Sequence, residues 1–581
     1  MADTELSAGA SSTGRGPLRL PALRGEAFLL LGLAILVGVF SVFPLARLLV
    51  EALSPGDEGE WLGTLRESWS SRAAQRALWN TLLASGAAVV LSAALGTALA
   101  LCITLAPIRA RVAATFLILS PLLVPSQITA LAWIELFGSS SPVLGALGLA
   151  PSPGTPNPLY SGGGIALLMG IEHTPFVFLA VRAALAGVPQ DLVEAARVAG
   201  VRSARIVSAI LLPLAAPAIL AGSILAFAAA IGNFGVPALL GIPGRFPMLT
   251  TLIYQRLASF GPSVMGQVAA LSLILLVIAA AALLLRAGFV RRFAVPIASG
   301  ARLAPLARGW TVLAANAFVW AAILVTAILP ILALVGASLI PAVGVGLSWE
   351  TLSLQNYAAT ILGSTTIRRA FVNSAWLSFG AALVAMVLAV PFAYLAVLRK
   401  SRAAHLLQGL ADMPFVVPGT VFALAMILVF LAPLPLVGVS IYGTATILFI
   451  AYAARFLPLV LRPVTSSLGA MEPALDEAGR VAGARVFRRL AFIIAPLAAP
   501  AAVAGGLLVF MTAVNELTVS ALLWSSGVET VGVMIFSLQY EGNSTGAAAI
   551  STVSIAFVLA LALILDRLGT RLPPGTLPWR D

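Results

Sequence analysis

Residues 194–219 read EAARVAGVRSARIVSAILLPLAAPAI, and residues 477–502 read EAGRVAGARVFRRLAFIIAPLAAPAA. Aligned without a gap at an offset of 283, the two stretches are identical at 15 of 26 positions. Alanine-rich composition alone does not produce that match, so the chain is a tandem duplication. Upstream, Asn80, Pro121 and Pro125 correspond to Asn373, Pro414 and Pro418 at an offset of 293, and the long first-half loop 139–164 takes up most of the difference.

The duplicated unit is apolar. Of 581 residues, 60% are apolar and 10% charged, against about a quarter charged in a soluble globular chain. Apolar runs of about 20 residues fall near 27–50, 76–104, 113–137, 163–187, 214–240 and 263–287, and again near 311–340, 369–398, 406–433, 442–465, 497–525 and 546–567. The spacing predicts an all-α polytopic membrane protein of twelve transmembrane helices. Six spans per half is an even number, so the halves share one orientation and form a parallel repeat about an axis along the membrane normal. The expected domains are a tail at 1–26, a first repeat at 27–290 with its signature loop at 188–213, a linker at 291–310, a second repeat at 311–567 with its loop at 466–496, and a tail at 568–581. The first apolar run is too long for a signal-peptide core and is expected to be retained as a span.

The net charge of +12 would suggest nucleic acid in a soluble protein. Here the basic residues, all arginine except Lys400, sit in short connections between apolar runs and act as topology determinants, so no nucleic-acid partner is expected. Alternate connections hold 25 of the 34 basic residues, which predicts that both termini are cytoplasmic. A single cysteine, Cys102, reads as a small packing residue. With only His173 and His405 beside it, a zinc-type cluster is excluded.

Each copy of the repeated stretch lies in the cytoplasmic connection between the fourth and fifth spans of its half. Pro189 and Pro473 suit a first helical turn, Asp191, Glu194, Asp476 and Glu477 favour the positive helix N-terminus, and Gly200 and Gly483 end or bend the helix. Arg197, Arg202, Arg205 and their counterparts Arg480, Arg485 and Arg488 line its polar side, and Pro213 and Pro496 mark re-entry into the bilayer. One such helix alone could rest on anionic headgroups. Two copies at matched places favour a docking surface.

Glu-Ala-Ala, then Gly, then a hydrophobic-Leu-Pro sequence resembles the signature loop of type I ATP-binding-cassette importer permeases. The first copy carries it on Glu194, Ala195, Ala196, Gly200, Leu212 and Pro213. The second carries it on Glu477, Ala478, Gly483 and Pro496, but departs with Gly479 in the third position and Ala495 before the proline. The resemblance implies coupling helices at about 191–205 and 474–488, seated on cytoplasmic ATPase subunits in two copies, with a periplasmic substrate-binding protein delivering cargo at the bacterial inner membrane. Lys400 follows Arg399 rather than glycine, so it is not a P-loop lysine. No cofactor is expected in this chain, and ATP is expected on the partner.

Two signature loops in one chain are most similar to ferric-iron permeases, whose relatives import thiamine, phosphonates, polyamines or sulfate. Stretches 232–240 (GNFGVPALL) and 514–523 (VNELTVSALL) resemble the fifth spans of such permeases. Ionisable groups inside spans are costly and point to function. Those singled out are Glu172, Asp412 and Glu516. Glu516, with Asn515, is placed mid-span at the position matching Asn233, so Asn233, Asn515 and Glu516 are the candidate translocation-path residues. Helix-to-helix hydrogen bonding is the alternative for them. Glu172 is expected to pair with His173, Asp412 to reach water, and Pro121, Pro125, Pro414 and Pro418 to kink helices. A secondary active transporter also fits twelve spans in a parallel repeat, but its signature loops belong between the second and third spans, where 105–112 and 399–405 are short and only basic.

Overall fold

The computed structural model describes residues 20–55, 59–259, 264–293, 303–434 and 438–568. Most of both terminal tails, and linker residues 294–302, lie outside the described residues, as do the expectations made for them. Among the described residues every regular element is helical. Ten helices are long and apolar enough to cross a bilayer, and two bent helix pairs bring the number to twelve. In the first half the spans are Gly25–Ala52, Arg72–Leu105, the bent pair Arg111–Leu122 with Ser126–Ala146, Gly162–Ala186, Ser203–Ile231 and Val264–Phe293. In the second they are Trp310–Ser338, Thr365–Leu398, the bent pair Arg402–Val416 with Gly419–Phe430, Ala445–Gly469, Val486–Ala513 and Ser544–Arg567.

Three expectations need correction. The prolines of the third spans do more than kink them: the two pieces of each pair meet at 104° and 106°. Pro125 and Pro418 are extended and open the second piece of each pair, because proline offers no N–H to the preceding turn and bars its neighbour from helical geometry. The fifth spans stop at Ile231 and Ala513, well before 240 and 525, so Glu516 is not mid-helix. They also start earlier, at Ser203 and Val486. Pro213 and Pro496 are absorbed inside a continuous helix because a widened π-helical turn, Val207–Leu211 or Leu490–Ile494, precedes each one.

The same contacts hold both halves. Gly222 lets the fifth span close on the fourth, since a Cβ there would lie 3.0 Å from the Val177 Cα. Its counterpart Gly505 stands in the same relation to Val460, at 2.7 Å. Asn80 in the second span donates to the Pro247 carbonyl at 2.9 Å, and its counterpart Asn373 donates to the Glu529 carbonyl at 2.9 Å. The neighbouring hydroxyls of Thr81 and Ser374 accept from the Leu249 and Val531 amides, each at 2.9 Å. These bonds tie the second span to the short helices Leu249–Leu257 and Val531–Tyr540 that follow each fifth span.

The lead-in to each half's first span crosses to the other half. Residues ahead of Trp310–Ser338 lie on the first half: Leu303 and Leu306 are buried there, and Leu306 and Ala307 both donate to the Leu105 carbonyl. The Ala304 amide donates to Gln190 Oε1 at 2.9 Å, and Arg197 Nη2 donates to the Pro305 carbonyl at 3.3 Å. In exchange, Glu26 at the start of Gly25–Ala52 reaches the second half. Its Oε1 lies 2.9 Å from Arg399 Nε and 3.6 Å from Arg489 Nη2.

Arg489 is 1% exposed. Its guanidinium also lies 3.2 Å from the Asp476 carboxylate and donates to the Tyr394 hydroxyl at 2.9 Å. At the 283-residue offset Asp476 and Arg489 become Val193 and Ile206, both fully buried. The same joint is therefore ionic in one half and apolar in the other. It also accounts for Gly479 in the departing signature: a Cβ there would lie 2.8 Å from Ile493 Cδ1 and 3.3 Å from Arg489 Cδ.

Removing one member of a buried ion pair strands the others and costs about 3–5 kcal/mol, whereas a well-packed apolar replacement of the pair is close to neutral. Arg489→Ile is therefore expected to lower the melting temperature of the detergent-solubilised protein. Asp476→Val added to it is expected to recover part of the loss, as read by thermal unfolding of both variants.

Candidate functional site

Each repeated loop folds as a short helix, a left-handed turn and a second helical turn leading into the fifth span. The helices are Gln190–Val198 and Ala474–Val481, shorter than the expected 191–205 and 474–488. Pro189 and Pro473 sit one residue ahead of them, at the N-cap. Asp191 in the first helix, and Asp476 and Glu477 in the second, occupy the first turn, with Arg197 and Arg480 in the last, as the helix dipole favours.

Gly200 and Gly483 both have φ +77°, a conformation glycine adopts without a Cβ clash. At the first, the Gly200 amide donates to the Arg197 carbonyl and the Val201 amide to the Ala196 carbonyl; Gly483 and Ala484 repeat this with Arg480 and Gly479. Each is a Schellman stop.

Glu194, Ala195, Glu477 and Ala478 are exposed, Ala196 is half-buried, and Pro213 and Pro496 are exposed within the fifth spans, ten residues past their starts. The sequence reading missed the apolar side of this surface. Val198 is 90% exposed and Val481 87%, and Leu192 and Leu475 are 47% and 45% exposed. Both pairs are counterparts at the 283-residue offset, so the same two apolar side chains project from each helix. A search of the alignment for unpaired apolar residues on the arginine-rich helices would have found them.

The path candidates come together in the interior. After Ile231 the backbone leaves the helix, and the Asn233 side chain takes over as acceptor for the Val236 amide at 3.2 Å. Its Nδ2 donates to Glu172 Oε2 at 2.9 Å and lies 3.3 Å from Ser126 Oγ, which donates to the other Glu172 oxygen. Glu172 is therefore held by the breaks in the third and fifth spans. It does not pair with His173, whose Nδ1 meets the Met169 carbonyl one turn back at 2.6 Å.

In the second half Glu516 follows the end of its helix and accepts from the Val519 amide at 2.8 Å and the Ser520 amide at 3.1 Å, restarting the short helix Ser520–Leu523. Arg455, which the sequence reading did not single out, is a half-buried positive charge near enough to act on Glu516 through space. It also donates to the Pro414 and Val417 carbonyls at 2.8 and 3.0 Å, groups freed by the break at Pro418. Its position was available in the repeat, because Arg455 is Glu172 plus 283.

A cavity of about 220 Å³ lies between the halves. The broken third span lines it with Pro121–Gln127, the fourth with Glu172 and His173, and the second half with Asn515 to Thr518. Gln127 Nε2 donates to the Asn515 carbonyl at 2.7 Å, bonding one half to the other across it. Asn233, 8% exposed, stands behind Glu172 rather than on the wall. Among the described residues no three of His, Cys, Asp and Glu gather as metal ligands. Asp412 is half-buried, 3.8 Å from Arg462, and Cys102 packs at the edge of an apolar cluster.

The family described as binding-protein-dependent transport system inner membrane component matches the chain twice, over residues 92–295 and 381–577. The chain is 28% identical over 570 residues to a probable ABC transporter permease of Sinorhizobium fredii, covering 95% of this chain and 97% of that protein. It is 26% identical over 532 residues to a putative ferric transport system permease of Haemophilus influenzae, covering 88% and 80%. It is also 29% identical to a spermidine/putrescine transport system permease of the same organism, over 39% of this chain and 85% of the other. With two matched units and two six-span halves, and with no support left for a secondary transporter, the chain belongs to the binding-protein-dependent transport system inner membrane component family, as a tandem ABC importer permease.

Proposed function

We propose that this permease imports ferric iron, delivered by a periplasmic binding protein and driven by two copies of a separate ATPase subunit seated on its two repeated loops. The observation that carries the ATPase reading is the matched exposure of Leu192 with Val198 and of Leu475 with Val481 on helices that are otherwise polar. Covering each such side chain is worth about 1.5–3 kcal/mol. Two equal apolar knobs, each flanked by Glu194 or Glu477 and the following arginines, suit two equal grooves on a symmetric ATPase dimer. The arginine bias puts these loops and both termini in the cytoplasm, and the fifth spans carry any movement of the loops to the cavity. ATP closing the dimer would draw the loops together and rock the two halves against each other, from inward-facing to outward-facing.

Cargo is supported by two features. Relatives named for ferric transport match both units of the tandem, over 88% of this chain in one and 96% in another, while the spermidine/putrescine relative and a 2-aminoethylphosphonate relative, covered over 85% of their own length, match one unit, 39% and 41% of this chain. The cavity wall carries Glu172 and Glu516 with one half-buried arginine behind it, a balance that repels phosphonate and sulfate and attracts a cation. A ferric ion, being hard, prefers such oxygen groups.

Replacing both knobs, Val198→Asp with Val481→Asp, is expected to weaken co-purification of the ATPase about tenfold or more through lost burial. Undiminished co-purification would contradict the docking assignment. Cargo is tested on the cognate binding protein, purified without added ligand and assayed for metal: bound ferric iron is expected, and bound thiamine, polyamine, phosphonate or sulfate would overturn the ferric reading.

A further inference from the structure

The duplication places opposite charges at matched positions around the cavity. Glu172 and Arg455 are counterparts, and so are Asn233 and Glu516. In the second half the base on the fourth span and the acid beyond the fifth act on each other through space without a direct ion pair, so their charges offset one another. Glu516 is further committed to the Val519 and Ser520 amides. Gly419 makes room for this arrangement, since a Cβ there would lie 2.6 Å from Thr518 Cγ2 and 3.2 Å from Arg455 Nη2. In the first half the position of Gly419 is Ser126, at the 293-residue offset. There the acid on the fourth span meets only a hydroxyl and an amide. Among the described residues neither Glu172 nor Glu516 has a direct ion-pair partner; what sets them apart is Arg455, which acts on Glu516 through space.

A second observation lies on the same wall. Asn515 is 2% exposed and its Nδ2 has no hydrogen-bond partner, although it lines the cavity across from Glu172. The two ends of a side-chain amide interchange by a half-turn, so this position can present an oxygen to a cation or a donor to that cation's bound water. A buried polar atom left unpaired is costly, and a passing ligand would satisfy it.

We propose that Glu172, with Ser126 and Asn515, is the contact site for a hard, oxygen-seeking cation in transit, whereas Glu516 holds the unwound end of the fifth span. This rests on the reading of the cargo as a cation. One formal charge among neutral oxygens makes a weak site, and weakness suits passage, because a cargo must leave as readily as it enters. Without cargo, the Ser126 and Asn233 hydrogen bonds offset the burial of the lone carboxylate.

The test uses the full permease with its ATPase subunits in liposomes, the binding protein outside, and radioactive ferric iron as probe. Glu172→Gln is expected to cut uptake about tenfold, the scale of one lost charged contact, while melting with the unsubstituted protein. Glu172→Asp is expected to restore much of the rate. Glu516→Gln is expected to lower the melting temperature and to reduce uptake per folded transporter by less than Glu172→Gln does. Uptake by Glu172→Gln close to that of the unsubstituted permease would overturn the proposal, and so would a fall in its melting temperature matching the loss of uptake. Should the unsubstituted permease carry labelled spermidine and not iron, the ferric reading alone fails; the same variant assayed on spermidine then supports the proposal by a tenfold loss or overturns it by none. Carriage of sulfate or a phosphonate alone would overturn both.

Discussion

A bilayer offers no hydrogen-bond partner to an interrupted helix, so each break in a span must be satisfied from within the protein. This permease breaks its third span in each half at Pro125 and Pro418 and ends its fifth at Ile231 and Ala513. The freed backbone groups then dictate where polar side chains go. Asn233 accepts the Val236 amide, Glu516 accepts the Val519 and Ser520 amides, and Arg455 covers the Pro414 and Val417 carbonyls. These residues gather at the breaks, and the cavity between the halves lies between the first half's bent third span and the end of the second half's fifth span. Its polarity follows from the backbone; its charge follows from which half supplies the acid.

The two halves show how a duplicated unit keeps geometry while changing chemistry. Gly222 and Gly505, Asn80 and Asn373, and Gly200 and Gly483 do the same work in both. These positions fix close helix crossings, a cross-tie and a helix stop, for which few side chains substitute. Elsewhere the copies diverge in concert. Where the second half buries Arg489 against Asp476, the first packs Ile206 near Val193, and Gly479 replaces Ala196 to admit the arginine. Likewise Arg455 appears with Gly419, and Glu172 with Ser126. Because the lead-in of each first span crosses over, Glu26 anchors the second loop and Pro305 touches the first. Each loop is thus fastened to the other half.

Twelve spans, the parallel repeat, the signature loops and their glycine stops were legible in the sequence because each leaves a local mark: an apolar run, an offset identity, a glycine after a polar helix. The breaks were not. Residues 232–240 and 514–523 are less apolar than the helices before them but still more than half apolar, so hydropathy carries the span past its true end. Glu516 then reads as a mid-helix acid instead of a cap. Glu172 and His173 are adjacent in sequence and both border the cavity, yet they do not pair: the acid is held by Asn233 and Ser126, and the imidazole Nδ1 turns back to the Met169 carbonyl. Arg455 and the knobs Val198 and Val481 needed the offset applied residue by residue. Charge between the halves at a single position is a comparison that composition does not make.

The central claim is that the two repeated loops move together under ATP and that the halves follow. Spin labels at Arg205→Cys and Arg488→Cys, exposed counterparts on the two loops, in a Cys102→Ser background, report the distance between them in the assembled transporter. The account predicts that the distance shortens when ATP is bound and hydrolysis is blocked, and returns after hydrolysis. A distance unchanged or lengthened by ATP would contradict it.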